Sequence, residues 1–318
     1  MSELLSVAEA QARILKALRA VGQEHIPLER SAGRVLAGEI RAGNDLPGFA
    51  NSSMDGFAVT AADVAGASSQ TPVTLRVTAD IPAGAIPEIT LRPGQAARIM
   101  TGAMIPPGAD AVVPVEDTDL APNRSRDQVG APLPDTVSIF QPARPGAYIR
   151  PRGHDVTKGT LLLEPGRWLQ PQDVGMLAAA GIASVPVFRQ PAVALFSSGD
   201  ELVQPGQPLA PGQIFDTNQY TLAAMLEREG ARVLRLGTAS DDPESIRALL
   251  DQATAQGADL LVTSAGVSVG AFDYVRQVIA SNGGLEFWKV NMRPGKPLAF
   301  GYYRGIPFIG LPGNPVSS

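Results

Sequence analysis

The 318-residue sequence contains no cysteine and only two histidines, His25 and His154. Without thiols there is no disulfide framework, no thiolate zinc site and no cysteine nucleophile, and two histidines exclude a multi-histidine metal centre. Any metal held here is expected to be a hard, oxygen-liganded ion such as magnesium. Long apolar runs are missing too. No stretch reaches membrane-spanning length, and the opening "MSELLSVAEAQARILKALRA" has acids and a helical period in place of a leader's basic and apolar regions. Positive charge is scarce: 26 Lys and Arg against 31 Asp and Glu leave a formal net charge of −5. That balance argues against a general nucleic-acid surface, and an anion would need a local site. Neither nucleic acid nor membrane is an expected partner, and a reducing cytoplasm suits the chain.

Glycine and proline are plentiful, 33 and 28, which suits rigid, turn-rich β structure without wholesale disorder. The length allows two or three domains with cores of their own. The first segment reads as an amphipathic packing helix capped at Ser6, with Glu9 completing a capping box and Leu15, Leu18 and Val21 repeating on one face. From about residue 44 to 144 the helical period gives way to short runs such as "VTLRVTADI", "QAARIMTGA" and "DAVVPVED", which predicts a β-rich domain. Residues 145–184 return through turns, short strands and a helix in "LQPQDVGMLAAAG" stopped by Gly181, and they group with residues 1–43 as a linking domain. Over residues 185–318 strand and helix alternate. "PAVALFSSGDEL", "RVLRLGTASDDP" and "ADLLVT" read as strands. "DTNQYTLAAMLEREG" reads as a helix from Asp216–Asn218 to Gly230, and "DPESIRALLDQATAQG" as one capped by Asp242 with Pro243 in its first turn. The fold class is therefore multidomain α/β, with a doubly wound parallel sheet in the last domain.

In such a sheet ligands gather beyond the carboxyl ends of the strands. Three loops there carry acids: Asp200 and Glu201 in "SSGDE", Asp241 and Asp242 in "ASDDP", and Asp273 in "GVSVGAFDY". The run "TSAGVSVG", with Ser264, Gly266, Ser268 and Gly270, offers small hydroxyls and backbone N–H groups that a ligand can approach closely, a concavity suited to an anion. It lacks both the Lys-Ser/Thr ending of a P-loop and the dinucleotide spacing, so taken alone it reads equally well as a plain turn. "FWKVNMRPGKPLAFG" groups Lys289, Arg293 and Lys296 around a Pro-Gly turn, either to offset phosphate charge or as a solvated patch. Asp55 in "NSSMDGFAV", Thr101 in "RIMTGAMIPPGADAVV" and Asp155 in "RPRGHDV" are, one by one, ordinary turn residues.

Together, "LPGFANSSMDGFAV", "RIMTGAMIPPGADAVV", "RPRGHDV", "FSSGDEL", "IFDTNQ", "SAGVSVGAFDY", "FWKVNMRPGKPLAFG" and "GLPGNPVS" occur in one order along nearly the whole chain. That series resembles the MoeA family, the molybdopterin molybdenumtransferases related to the gephyrin E domain. The resemblance implies an enzyme of molybdenum cofactor synthesis that takes adenylylated molybdopterin and molybdate, inserts molybdenum and releases AMP with the help of magnesium. It implies an α/β domain like the molybdopterin adenylyltransferases of the MogA and MoaB type. It also implies an elongated homodimer whose cleft joins the β-rich domain of one subunit to the α/β domain of the other.

Carried over motif by motif, the resemblance gives Asp55, Thr101, Asp155, Glu201, Asp241 and Asp273 catalytic roles, the last two with Glu201 as magnesium ligands. Ser264, Gly266, Ser268, Gly270, Lys289, Arg293 and Lys296 would hold the phosphate-bearing substrate or molybdate. Two positions depart from the pattern: Ala265-Gly266 stands where the family commonly has a glycine pair, and Arg293 where it often has lysine. Family members also continue after "GLPGNPVS" into a helix and a small β-rich domain, so this sequence is expected to lack that C-terminal domain. Transient contacts with a molybdopterin adenylyltransferase and with molybdoenzyme-maturation proteins are implied partners. The competing readings are a molybdopterin adenylyltransferase, against which the long N-terminal β-rich segment argues, and a non-catalytic gephyrin-like scaffold, which the retained acids disfavour.

Overall fold

The computed structural model describes residues 5–121, 132–265, 271–287, 289–292 and 296–317, of which 265 and 271–273 are described in backbone only. The chain forms two compact units. One comprises Met1–Gly38, Pro165–Val174 and Ser184–Ser318, the other Glu39–Glu164 and Gly175–Ala183, so the chain passes between them four times and the stretch 145–184 is shared out.

Helix α1, Val7–Ala17, opens as its residues dictate: the Ser6 hydroxyl accepts the Glu9 N–H at 3.2 Å while Glu9 Oε2 accepts the Ser6 N–H at 3.0 Å. Its buried stripe differs from the expected one. Ala10, Ile14 and Ala17 pack on Phe287 and Phe300, whereas Leu15 is 62% exposed and Leu18 is already the extended cap residue. Small side chains let the helix approach an aromatic floor, and the cap fixes which face that is. Helix α2, Pro171–Ala179, ends before Gly181, whose φ of 75° closes the turn.

The β-rich unit is built on five strands: β1 Gly56–Val59, β2 Val73–Ile81, β3 Gln95–Ile99, β4 Ala111–Pro114 and β5 Thr136–Ile139, in the order β4-β1-β3-β2-β5. Alternate residues serve opposite faces. Phe57, Val59, Leu75, Val77 and Val113 fill one core, and Ala58, Ala97, Ile99 and Val112 the other.

The α/β unit carries β6 Ala192–Ser198, β7 Arg232–Ala239, β8 Leu260–Ala265, β9 Leu285–Phe287, β10 Ala299–Tyr303 and β11 Ile306–Leu311, in the order β7-β6-β8-β11-β10-β9. Strands β6, β7, β8 and β11 are parallel, and β10 runs against both β11 and β9. Helix α3, Asn218–Arg228, covers Val193, Leu195 and Val262 on one face. Helices α4, Pro243–Ala255, and α5, Ala271–Asn282, cover Phe196, Leu261 and Phe308 on the other. Asp242 caps α4 as expected, accepting the N–H groups of Glu244 and Ser245. The chain leaves β6 for β7 on one side and returns across it to β8, so the order reverses between β6 and β8, the place where doubly wound sheets bind ligands.

Candidate active site

At the carboxyl end of β6 the chain turns through Gly199, with φ 144°, where an added Cβ would stand 2.6 Å from Glu201 Oε2. Only glycine lets the carboxylate fold back so closely. Asp200 Oδ1 accepts the Asp241 N–H at 3.2 Å, drawing the loops after β6 and β7 together. Asp241 Oδ1 is buried without a hydrogen-bond partner among the described residues, and burial first, then the charges of Asp200 and Glu201, push its carboxyl above the ordinary range. Three carboxylates thus share one corner. Nearby, β6 and β8 set Ser197 opposite Ser264, with their hydroxyls 3.0 Å apart.

The N-terminus of α3 lies across this edge, gripped by Gln219 Nε2 donating to Gly237 O in β7 at 2.7 Å and by Asn218 Nδ2 donating to Gly313 O beyond β11 at 2.8 Å. Of the five buried side-chain oxygens that lack a partner among the described residues, Ser198 Oγ, Thr263 Oγ1, Asp216 Oδ2 and Asp241 Oδ1 belong to this one end of the sheet. Buried polar groups are normally paired, so this concentration makes the edge the candidate ligand site. Strand β9 runs in the sense of β8 and β11, so the turn from β9 to β10 opens on the same edge. It carries exposed Lys289 and Lys296, closed by the Val290 N–H donating to Lys296 O at 3.0 Å.

In the β-rich unit Asp55 precedes β1 and Thr101 follows β3. Because the ladder starts at Gly56 opposite Ile99, the two meet: Asp55 Oδ1 accepts both the Thr101 N–H and the Thr101 hydroxyl at 2.7 Å. Gly56 is a strand residue, not a turn residue. A Cβ there would lie 2.0 Å from Val113 O, so glycine is what lets β1 close on β4. Asp155 pairs with the Arg150 guanidinium and with His154 Nδ1, 3.0 Å away, and the His154 contact, then Arg150, holds its carboxyl below the ordinary range. Arg150 stands opposite Asn51 in a two-residue ladder, which ties Asp155 to the strand leading into Asp55. Asn51 Oδ1 is the fifth partnerless buried oxygen.

The structure therefore brings Asp55 onto Thr101, links Asp155 to them through Arg150, and gathers Glu201 and Asp241 around Asp200. Asp273 is the third residue of α5 in a backbone-only stretch, and Gly266, Ser268, Gly270 and Arg293 lie outside the described residues. Among the described residues no group of three or more His, Asp or Glu is set to hold a metal ion. Sequence reasoning missed Asp200 as the link to Asp241, Ser197 as the partner of Ser264, and Asp216, which it read only as a helix start. That local role holds, since Asp216 Oδ1 accepts the Gln219 N–H at 3.1 Å, but it leaves Oδ2 unexplained.

Residues 5–181 match the family model described as "MoeA N-terminal region (domain I and II)". The chain belongs to the MoeA family. Residues 194–318 match a second model, "Probable molybdopterin binding domain", which spans the α/β sheet and its acid-lined edge. The molybdopterin molybdenumtransferase 2 of Mycobacterium tuberculosis is 44% identical over 319 residues, covering 98% of this chain and 76% of the relative. The molybdopterin molybdenumtransferase of Haemophilus influenzae is 39% identical over 316 residues, covering 99% and 74%. Among solved structures, the molybdopterin biosynthesis MoeA protein from Pyrococcus horikoshii superposes with a TM-score of 0.82 at 36% identity, covering 99% of this chain and 76% of that one. No helix among the described residues is long and apolar enough to cross a membrane.

Proposed function

We propose that the protein is a molybdopterin molybdenumtransferase, inserting molybdenum from molybdate into adenylylated molybdopterin with release of AMP. The observation that carries this reading is the edge of the α/β sheet at the β6/β8 switch point, where carboxylates and unpartnered buried oxygens accumulate within the segment matched by the molybdopterin-binding model. Glu201 and Asp241 would hold magnesium together with Asp273 of α5, whose side chain lies outside the described residues, since the described acids alone do not form a three-ligand set. The upward shift of Asp241 and its empty hydrogen-bonding capacity fit a hard cation. When bound, that ion supplies charge neutralisation on the substrate's phosphates.

The chain's own residues do the rest. Ser264 and the glycine-rich run Gly266, Ser268 and Gly270 cradle the anionic end, and Lys289, Arg293 and Lys296 bind phosphate or molybdate oxygens as local cations on an acidic protein. Thr101 fixes the Asp55 carboxylate through two hydrogen bonds to one oxygen, and His154 with Arg150 favours the ionised form of Asp155, so both acids are preorganised to orient a hydroxyl-bearing oxyanion. The protein is read as a cytoplasmic homodimer that meets a molybdopterin adenylyltransferase and molybdoenzyme-maturation proteins only transiently. A single-turnover reaction with adenylylated molybdopterin, molybdate and magnesium tests it. Molybdate-dependent AMP release in step with molybdenum insertion is expected, and AMP formation without insertion would refute the reading.

A further inference from the structure

We propose that Tyr148 is the platform on which a flat heteroaromatic ring of the substrate stacks in the β-rich unit. This rests on the reading above, which gives the substrate two such rings, a pterin and an adenine. Tyr148 has φ 54°, in the left-handed region that a residue with a β-carbon enters only when its surroundings impose it. Those surroundings are on view. Its carbonyl accepts the Ser53 N–H at 2.9 Å and the Ser53 hydroxyl at 3.1 Å, and the next residues, Ile149 and Arg150, enter the ladder with Ser52 and Asn51. Arg304 is the one other non-glycine residue with positive φ among those described, and it sits in the tight turn between β10 and β11.

Nothing in the packing accounts for a tyrosine at position 148. A glycine would make the same turn without strain, and Tyr148 as a residue remains 48% exposed, outside the buried cores of its unit. Tyr148 is one of the residues that wall a hollow of about 620 Å³, together with Val113, Pro114, Gln141 and Arg144. That volume falls within the range of small-molecule sites, and polar and apolar surface line it in about equal measure, with Arg144 as a cation and Asp117 as an anion. The hollow borders the Asp55 segment on two sides. Pro114 is the register partner of Gly56, Asp55 O accepts the Val115 N–H at 3.0 Å, and Ser53, two residues before Asp55, holds Tyr148 in place. Strain retained at an exposed aromatic beside a hollow is the pattern of a residue kept for what it binds.

Three variants test this: Tyr148→Gly, Tyr148→Ala and Tyr148→Phe. Each is titrated separately with AMP and with 6-hydroxymethylpterin, melted, and assayed for molybdenum insertion. Tyr148→Gly is expected to melt no lower than the parent because the strain is gone, yet to bind one of the two ring compounds roughly tenfold more weakly, as base–aromatic stacking predicts. Its KM for adenylylated molybdopterin rises in proportion, while kcat at saturation changes far less. Tyr148→Phe keeps parental affinity, and Tyr148→Ala loses it without the gain in stability. The titration that moves identifies the ring as adenine or pterin. If Tyr148→Gly binds and turns over like the parent, or if Tyr148→Phe loses as much as Tyr148→Gly, the assignment is overturned while the transferase reading stands. A parent that neither binds these rings nor inserts molybdenum overturns both.

Discussion

Asp241 shows how one side chain can serve the site at the expense of the fold. Its carboxyl titrates above its ordinary value of 3.8 because it is buried and faces Asp200 and Glu201. Between 3.8 and the raised value the folded chain therefore binds more protons than the unfolded one, so stability declines as pH rises through that interval and stays reduced above it. Asp241→Asn removes the penalty. At neutral pH this variant should melt above the parent and release AMP far more slowly, and the difference in melting should vanish below about pH 3.8, where the parent carboxyl is protonated in both states. A variant that melts lower at pH 7 would show that the acid corner is not under charge strain. The converse logic applies to Asp155, whose contacts with His154 and Arg150 favour its ionised form.

Among the elements, the approach of β1 to β4 and the cap of α4 make contrasting predictions. Gly56→Ala places a methyl 2.0 Å from a backbone oxygen, which no rotamer change can relieve. Urea unfolding should show a loss of at least about 1–3 kcal/mol, and Asp55, the preceding residue, should lose its hold on Thr101. Asp242→Ala removes two cap hydrogen bonds and should cost only about 1 kcal/mol with the site intact. Caps and stops of this sort were legible in the sequence because they act within one turn: Ser6 with Glu9, Asp242 with Pro243, Gly181 and Gly230. The buried face of α1 was not legible, since it is chosen by Phe287 and Phe300 far downstream. The contact between Asp55 and Thr101, 46 residues apart, leaves no local period either, and it was visible only through the resemblance of whole motifs. Ser198 and Thr263 escaped notice because a hydroxyl inside "VALFSS" or "LLVTSA" reads as a strand residue until the structure shows its oxygen buried without a partner among the described residues.

At the scale of the whole molecule, ionisable groups bound the pH range of stability from both sides. Asp45, held by the Lys158 N–H, Asp173, held by Arg167, and Asp259, held by Arg189, all titrate below 3.8. The stability they contribute is present above that value and is lost as pH falls through their lowered ones. On the alkaline side Tyr303, fully buried and donating to Asp251 at 2.5 Å, is pushed from 10.0 up to about 12. Its contribution is complete below pH 10.0 and is lost as pH rises toward about 12, so melting temperatures should fall across that window. Tyr303→Phe should flatten the fall, and an unchanged alkaline limb would move its cause elsewhere. The four passages of the chain between its two units also set an order of events on the ribosome. The β-rich unit, residues 39–164 and 175–183, has all its parts once residue 183 has emerged, whereas α1 must wait for β9 and β10. At about 5–20 residues per second that wait is roughly a quarter of a minute to a minute. A stripe of Ala10, Ile14 and Ala17 is a mild one to leave exposed for so long, and a nascent chain with leucines in those places would offer holdase chaperones a far stickier target.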